Sequence, residues 1–274
     1  MLVAAVDTAT LTLSCALVDV EPGGAARLRC EKQEHLGAAP GAKAARREAA
    51  RRQAASPLSP PSASRSTHSA RLPQALVELL EVEGLAIADL GGFAVGLGPG
   101  SFTGLRIGLA TWKGLAYANK KPIAGASSLA AMAFGAARDA EPGAVLVPLL
   151  DAKKGEVYAG FYRVRDGGIV EIAGDAALPP EALAARIDAL VREGARPFAF
   201  GQGLLSYPAA LASVPRLATE VATPSALAVA ALVAERLAPA SYDAQALFAL
   251  EPRYVRASEA ELKFPKGLGS GAEK

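Results

Sequence analysis

The run Gly96-Leu97-Gly98-Pro99-Gly100-Ser101-Phe102-Thr103-Gly104-Leu105-Arg106 carries the clearest chemical potential in this chain. It follows the apolar residues Gly92-Phe93-Ala94-Val95 and leads into a helix-like stretch, 102–117. Backbone N–H groups of a glycine-rich turn at a helix start can cradle an anion, and Arg106 could clamp one. The spacing excludes two phosphate loops. No Lys-Ser/Thr pair closes a Walker A loop, and a dinucleotide fingerprint would put glycine where Ser101 stands. A tight structural turn accounts for the same residues, and a solvated face accounts for Arg106. Asp7-Thr8, ending the first apolar run, could hold a phosphate-bound metal or simply cap a turn. Asp7, Thr8, Gly98, Gly100, Ser101 and Arg106 are therefore the candidate phosphate-site residues.

Other chemistry is thinly represented. The two histidines, His35 and His68, have no His, Cys or carboxylate at metal-ligand spacing, and no Ser-His-Asp arrangement forms around them. His68 reads as an exposed helix-start residue. Asp151, Lys153, Lys154 and Glu156 read as a solvated turn. Cys15 and Cys30 lack CxxC spacing and fall in predicted strands, so a reduced, buried pair in a cytosolic protein is expected. No catalytic or metal-binding residue is assigned.

These residues need elements to position them. Residues 2–6, 11–20 and 25–35 read as strands. A helix over 69–83 buries Leu72, Leu76, Leu79 and Leu80; Val77 and Val82 widen its apolar surface. A strand over 92–98, the helix 102–117 with Leu105, Leu109 and Trp112 on one stripe, a short strand 122–125 and a helix 129–138 follow. The second half restarts with strands at 144–150, 157–164 and 169–173, then a helix 180–192, a strand 197–200, Gly201-Gln202-Gly203 and a helix 225–237. Each half thus opens with an antiparallel meander and moves on to helix–strand alternation. That pattern predicts an α/β protein of two duplicated domains, 1–140 and 141–265, with a tail from 266.

Residues 41–66 carry a net charge of +5 in a chain of net +2, so the rest is mildly acidic, about −3. This Ala/Arg/Ser/Pro-rich stretch, 36–66, reads as a mobile insertion. No basic leader segment opens the chain, and no apolar run approaches the ~20 residues of a membrane helix. A cytoplasmic protein is expected.

Several strings resemble the TsaB family, formerly YeaZ: Val6-Asp7-Thr8-Ala9-Thr10 with Ser14, the glycine run from Gly98 to Gly108, Gly114-Leu115-Ala116, Ser127-Ser128-Leu129, Asp151 to Tyr158, and Pro252-Arg253-Tyr254-Val255-Arg256. The resemblance implies two actin-like ATPase (ASKHA, RNase H-like) domains. It implies a non-catalytic scaffold subunit, not an enzyme by itself, in forming N6-threonylcarbamoyladenosine at position 37 of tRNAs reading codons that begin with A. Its implied partners are the transferase TsaD and the ATPase TsaE, with tRNA reached through the complex and a homodimer when alone. No tightly bound cofactor is implied; ATP or ADP has a place at the complex interface. The first-domain helices would bind TsaD, which nominates Leu72, Leu76, Leu79, Leu80, Leu105, Leu109 and Trp112 as partner-binding residues. The catalytic paralogue's His-x-x-x-His metal pair aligns with Ser128 and Met132, neither of which replaces an imidazole. The 36–66 insertion departs from the family pattern.

Two other readings compete. An ATP-dependent phosphotransferase of the same fold would place phosphates at Asp7 and the 98–104 loop, with Asp151 and Gly201-Gln202-Gly203 as its weak further candidates. An independent RNA-binding module is disfavoured by the near-neutral core and 5% aromatic content.

Overall fold

Strand β1 (Leu2–Asp7) is apolar on both faces until its last residue, the composition of a strand covered on both sides. In the computed structural model, which describes residues 1–21, 23–37 and 68–256, β1 is the middle strand of a five-stranded sheet. The expected insertion lies outside the described residues except for residues 36 and 37, and the tail lies wholly outside them. The sheet order is β3-β2-β1-β4-β5, with β2 (Thr12–Val20), β3 (Ala26–His35), β4 (Gly92–Gly96) and β5 (Ile123–Ala126). β1, β2 and β3 form the antiparallel meander, and β4 joins β1 in parallel.

The strand period of two assigns the helices to faces. Cys15 stands opposite Lys32 and Leu17 opposite Cys30, so these four residues share a face. Lys32 and Cys30 both meet helix α1 (His68–Glu83), through Glu78 and the Leu79 carbonyl. Ser14 points the other way, and its hydroxyl accepts the Ala226 N–H at 2.8 Å, at the start of helix α6 (Ala226–Leu237). Helix α2 (Phe102–Asn119) packs beside α1; Trp112 is fully buried, meets Phe93 edge-on and donates to the Ala4 carbonyl at 2.9 Å. Helix α7 (Ala244–Ala249) lies along the end of α2, where Lys113 bonds the Phe248 and Leu250 carbonyls. An ion-pair ladder ties α1 to β3. Lys32 meets Glu34 and Glu78, Arg71 meets the same two carboxylates, and Arg29 meets Asp19 and Glu83. Arg71 holds the Glu34 carboxyl below its usual range, and Lys32 does the same for Glu78. All these partners are partly exposed, so each pair contributes modestly.

A second sheet, ordered β8-β7-β6-β9, is built from β6 (Val145–Lys153), β7 (Glu156–Arg165), β8 (Gly168–Leu178) and β9 (Pro197–Phe200). Its alternation is clean. Leu146, Leu150, Tyr158, Tyr162 and Val164 pack on one face with Leu129 and Met132 of helix α3 (Ser128–Ala136). Val145, Val147, Leu149, Val157, Ala159 and Phe161 pack on the other with Leu183 and Ile187 of helix α4 (Pro180–Arg192). Pro180 sits at the helix start, where its missing N–H costs nothing. A single-turn helix, α5 (Gly203–Ser206), follows β9.

The contacts divide the chain into two compact units. One comprises Met1–Gly96, Ser101–Gly125 and Ser225–Leu250; the other Leu97–Gly100, Ala126–Pro224 and Glu251–Lys274. The division therefore falls before α3 rather than at the expected 140/141 boundary, and the first unit reclaims α6 and α7. The reason is local: α3 buries Leu129 and Met132 on the second sheet, while Ala226 starts α6 on Ser14 of the first. Cys15 is buried and Cys30 half-buried, and both are free thiols; burial pushes the Cys15 thiol up to about 12.

Candidate functional site

Within the first unit, the turn after β1 is pressed directly onto α2. Thr8 donates its hydroxyl to the Gly104 carbonyl at 2.9 Å, and Ala9 N–H bonds Asp7 Oδ1 at 2.8 Å. The approach is so close that a Cβ on Gly104 would lie 2.2 Å from the Thr8 carbonyl oxygen. One on Gly108 would lie 2.3 Å from Thr8 Oγ1. The Gly104/Gly108 pair, one helical turn apart, thus makes a flat helix face on which the turn sits. Asp7 and Thr8 are buried.

Three N–H groups of the loop, those of Gly98, Ser101 and Gly104, are engaged within the fold. Ser101 N–H bonds the Ala9 carbonyl at 2.6 Å, and the Ser101 hydroxyl caps α2 by accepting Gly104 N–H at 3.2 Å. In the second unit, Gly98 N–H bonds Ser128 Oγ at 3.1 Å and the Gly98 carbonyl accepts Ser128 N–H at 2.8 Å. Gly98 adopts a positive φ of 91° and precedes Pro99 through a cis bond. The guanidinium of Arg106 lies 4.7 Å from the Phe102 ring centroid, one turn back on the same exposed helix face. Of the six phosphate-site candidates, Asp7, Thr8 and Ser101 come together around the start of α2, Arg106 turns to Phe102, and Gly98 and Gly100 belong to the other unit's contacts.

The positions aligned with the paralogue's histidines are both fully buried. Ser128 spends its hydroxyl on the glycine loop. Met132 points its methyl toward Gly201, where a Cβ would come within 2.6 Å of it. The Gly201-Gln202-Gly203 turn packs its glycines against Leu149 of β6. Asp151 accepts the Lys153 N–H and pairs with the Lys153 ammonium, as a solvated hairpin turn does.

His68 corrects an expectation. It is 7% exposed at the start of α1, hydrogen-bonds the backbone of Thr10, and leaves Nε2 without a partner among the described residues. Burial pushes its pKa down, so the neutral imidazole is favoured. Its neighbours in sequence are polar, and nothing in the local pattern signalled this burial.

The partner-binding leucines are corrected too. Leu72, Leu76, Leu79, Leu80, Leu105, Leu109 and Trp112 are all buried within the first unit, none above 6% exposed. Helical leucine stripes marked the face turned to the sheet, so these side chains cannot meet a partner. The outward faces carry different residues. On α1 they are Val77 and Val82; on α2 they are Phe102, Ala110, Gly114 and Tyr117, with nothing within 4 Å of a Cβ placed on Gly114. Tyr117 also stacks against the exposed Phe248 ring, 5.8 Å away. Val77 and Val82 are the residues that the sequence pattern marks as widening the apolar surface of α1, whereas Gly114, with no side chain, carries no hydropathy signal.

A family model described as TsaD, tRNA N6-adenosine threonylcarbamoyltransferase, matches residues 58–264, about three quarters of the chain. Along 92% of its length the chain is similar to the solved structure of YeaZ from Pseudomonas aeruginosa, covering 99% of it at 26% identity and a TM-score of 0.65. The chain belongs to this family, in its TsaB/YeaZ branch. It is 39% identical over 102 residues to the tRNA threonylcarbamoyladenosine biosynthesis protein TsaB of Escherichia coli K12, and 35% identical over 111 residues to that of Bacillus subtilis 168. Those alignments cover 37% and 40% of this chain. They span under half the length of the curated relatives, 44% and 47%. Each sheet is mixed and opens with an antiparallel meander, the α/β arrangement expected from the sequence. No helix among the described residues is long and apolar enough to cross a membrane.

Proposed function

We propose that this chain is an accessory subunit in tRNA threonylcarbamoyladenosine biosynthesis, acting by presenting α1 and α2 to a partner rather than by catalysis. The partner in this reading is TsaD, with TsaE joining the complex and tRNA reached through it. Alone, the chain would pair with a second copy through the same helices. The observation that carries the reading is the outward face of α2, where Ala110 and Gly114 sit one turn apart with no described residue above the glycine and with Phe102 and Tyr117 exposed on the same helix; Val77 is exposed on the neighbouring α1. Small residues let a second helix approach closely, and the flanking apolar side chains give it surface to bury. Two further observations agree. Ser128 and Met132 are committed to the loop and the core, and the N–H groups of Gly98, Ser101 and Gly104 are spent on Ser128, Ala9 and Ser101. In this reading the chain needs no tightly bound cofactor, and ATP or ADP enters with the complex.

The test is co-expression with TsaD and TsaE, followed by pull-down with and without ATP, using Gly114→Arg and Val77→Arg. Both positions point outward, so the fold should persist by circular dichroism while capture of TsaD falls by at least tenfold. Undiminished capture together with undiminished tRNA modification in the double variant would overturn the proposal. Sub-micromolar ATP binding by the isolated chain, measured by isothermal titration with Mg²⁺, would favour the phosphotransferase instead.

A further inference from the structure

In the second unit, β8 buries a carboxylate that the partner-binding reading does not use. The Asp175 side chain is only 2% exposed. Its Oδ1 accepts the Tyr162 hydroxyl and its Oδ2 the Ser127 hydroxyl, both at 2.6 Å. The surroundings are fitted to it. β7 and β8 shift register around Phe161, and a Cβ on Gly160 would come within 2.7 Å of Asp175 Oδ1 and 2.9 Å of the Tyr162 oxygen. Burying a charge is costly without a full counter-charge. Among the described residues the cation that faces it is Arg253, half-exposed, whose Nη1 stands 3.8 Å from Oδ2.

Arg253 belongs to residues 251–256, which lie across this unit. Its backbone N–H bonds the Leu97 carbonyl at 2.7 Å, immediately before Gly98. Val255 packs on the core beside α3, and Arg256 bonds the Ala152 carbonyl and Glu156 at 3.1 and 3.0 Å. Ser127 links the same carboxylate to the loop from the other side, because it caps α3 and the next residue, Ser128, holds Gly98.

We propose that residues 251–256 form a latch on the entrance of the glycine loop, and that Asp175 is its catch: ionised, it holds Arg253, and neutral, it loosens the hold of Arg253 on Leu97 while the sheet stays folded. The groups facing Asp175 are Tyr162 from β7, Ser127 ahead of α3 and Arg253 from the latch; Glu171, on β8 itself, acts on Tyr162. Burial pushes the Asp175 carboxyl up, opposed by Ser127, Tyr162 and Arg253. Burial, reinforced by the Asp175 charge, pushes the Tyr162 hydroxyl up, so it stays a donor. Arg253 favours the ionised acid, so loosening of the latch and protonation of Asp175 promote one another. A raised folded-state pKa gives stability that is fully present below the unfolded value and lost as pH rises through the folded one. Acidification therefore weakens the latch without weakening the sheet through this group. The latch does not depend on the partner-binding reading.

The test is site-resolved hydrogen exchange on the full chain from pH 8 down to the ordinary carboxylate range near pH 4, with rates normalised to the unfolded chain at each pH. Protection of the Arg253 amide should fall on acidification by up to about fivefold, the most expected of an ion pair with one half-exposed partner. Amides of β6 and β7 should stay protected. Asp175→Asn and Arg253→Gln should each show the low protection at every pH, and the double variant should add nothing. Should Asp175→Asn fail to fold, Arg253→Gln, at a half-exposed position, decides alone. Wild-type protection of the Arg253 amide in Arg253→Gln, or loss in step with β6 and β7, would overturn the latch.

Discussion

Three glycines of one helix, α2, should respond in opposite ways to the same substitution. At Gly114 a new Cβ meets nothing within 4 Å, so Gly114→Ala should stabilise by about 0.5–1 kcal/mol through helix propensity alone. At Gly108 the Cβ would lie 2.3 Å from Thr8 Oγ1. Restoring an ordinary contact of about 3.5 Å moves turn and helix apart by roughly 1 Å. Overpacking of this kind costs about 1–3 kcal/mol, and the propensity gain offsets about 1. The expected net loss is about 0–2 kcal/mol, against a gain at Gly114. Removing the obstacle should remove the penalty. Thr8→Ala costs about 1 kcal/mol for its bond to the Gly104 carbonyl, yet leaves only Thr8 Cβ at 3.4 Å from the new methyl. In that background Gly108→Ala should become neutral or stabilising, a coupling that a double-mutant cycle measures. Gly104→Ala should not be rescued, because its obstacle is the Thr8 backbone carbonyl at 2.2 Å. The assay is urea unfolding followed by Trp112 fluorescence, since the chain's only tryptophan is buried in this unit. Equal effects of Gly108→Ala and Gly114→Ala, or rescue of Gly104→Ala by Thr8→Ala, would refute the packing argument.

Ser14→Ala leaves the buried Ala226 N–H without its acceptor at the start of α6 and should destabilise the first unit by about 1–3 kcal/mol in the same assay. The lowered pKa of His68 predicts stability that is present above its unfolded value, about 6.5, and lost as pH falls through the folded one. Accordingly, the difference in unfolding midpoint between wild type and His68→Gln should shift against the wild type below about pH 6.5; a pH-independent difference would contradict the burial argument. Gly201→Ala places a methyl 2.6 Å from both the Leu149 carbonyl and the Met132 methyl, on a backbone with φ of +98°. Thermal unfolding should show loss of the second unit before the first, read as exchange at β6 with Trp112 fluorescence unchanged.

Period and composition made the strands and helices legible, because burial on one face leaves a hydropathy pattern at spacing two or three to four. β6 shows this best, with even and odd positions serving opposite faces of the sheet. Short helices such as α7 left too little pattern to read. The candidate site was legible in a different way. The glycine run was visible, but its purpose was not, because the partner of Gly104 and Gly108 is Thr8, about a hundred residues away. The same separation hid Ser14 on Ala226, and Arg253 on Asp175 and Leu97.

Leucine spacing reports which side of a helix is buried, and on α1 and α2 that side is turned to the sheet. In the proposed reading a partner meets the opposite side, whose residues are legible only by difference. On α2 that difference sets apart two kinds of glycine. Gly104 and Gly108 are closed by Thr8, whereas Gly114 is open. Glycine in an exposed helix interior costs about 1 kcal/mol relative to alanine. At Gly104 and Gly108 a contact within the fold accounts for that cost. At Gly114 no contact among the described residues does, and the proposed reading accounts for it by a close approach from outside. The stabilising effect expected of Gly114→Ala and the loss of TsaD capture expected of Gly114→Arg are thus two consequences of one open position.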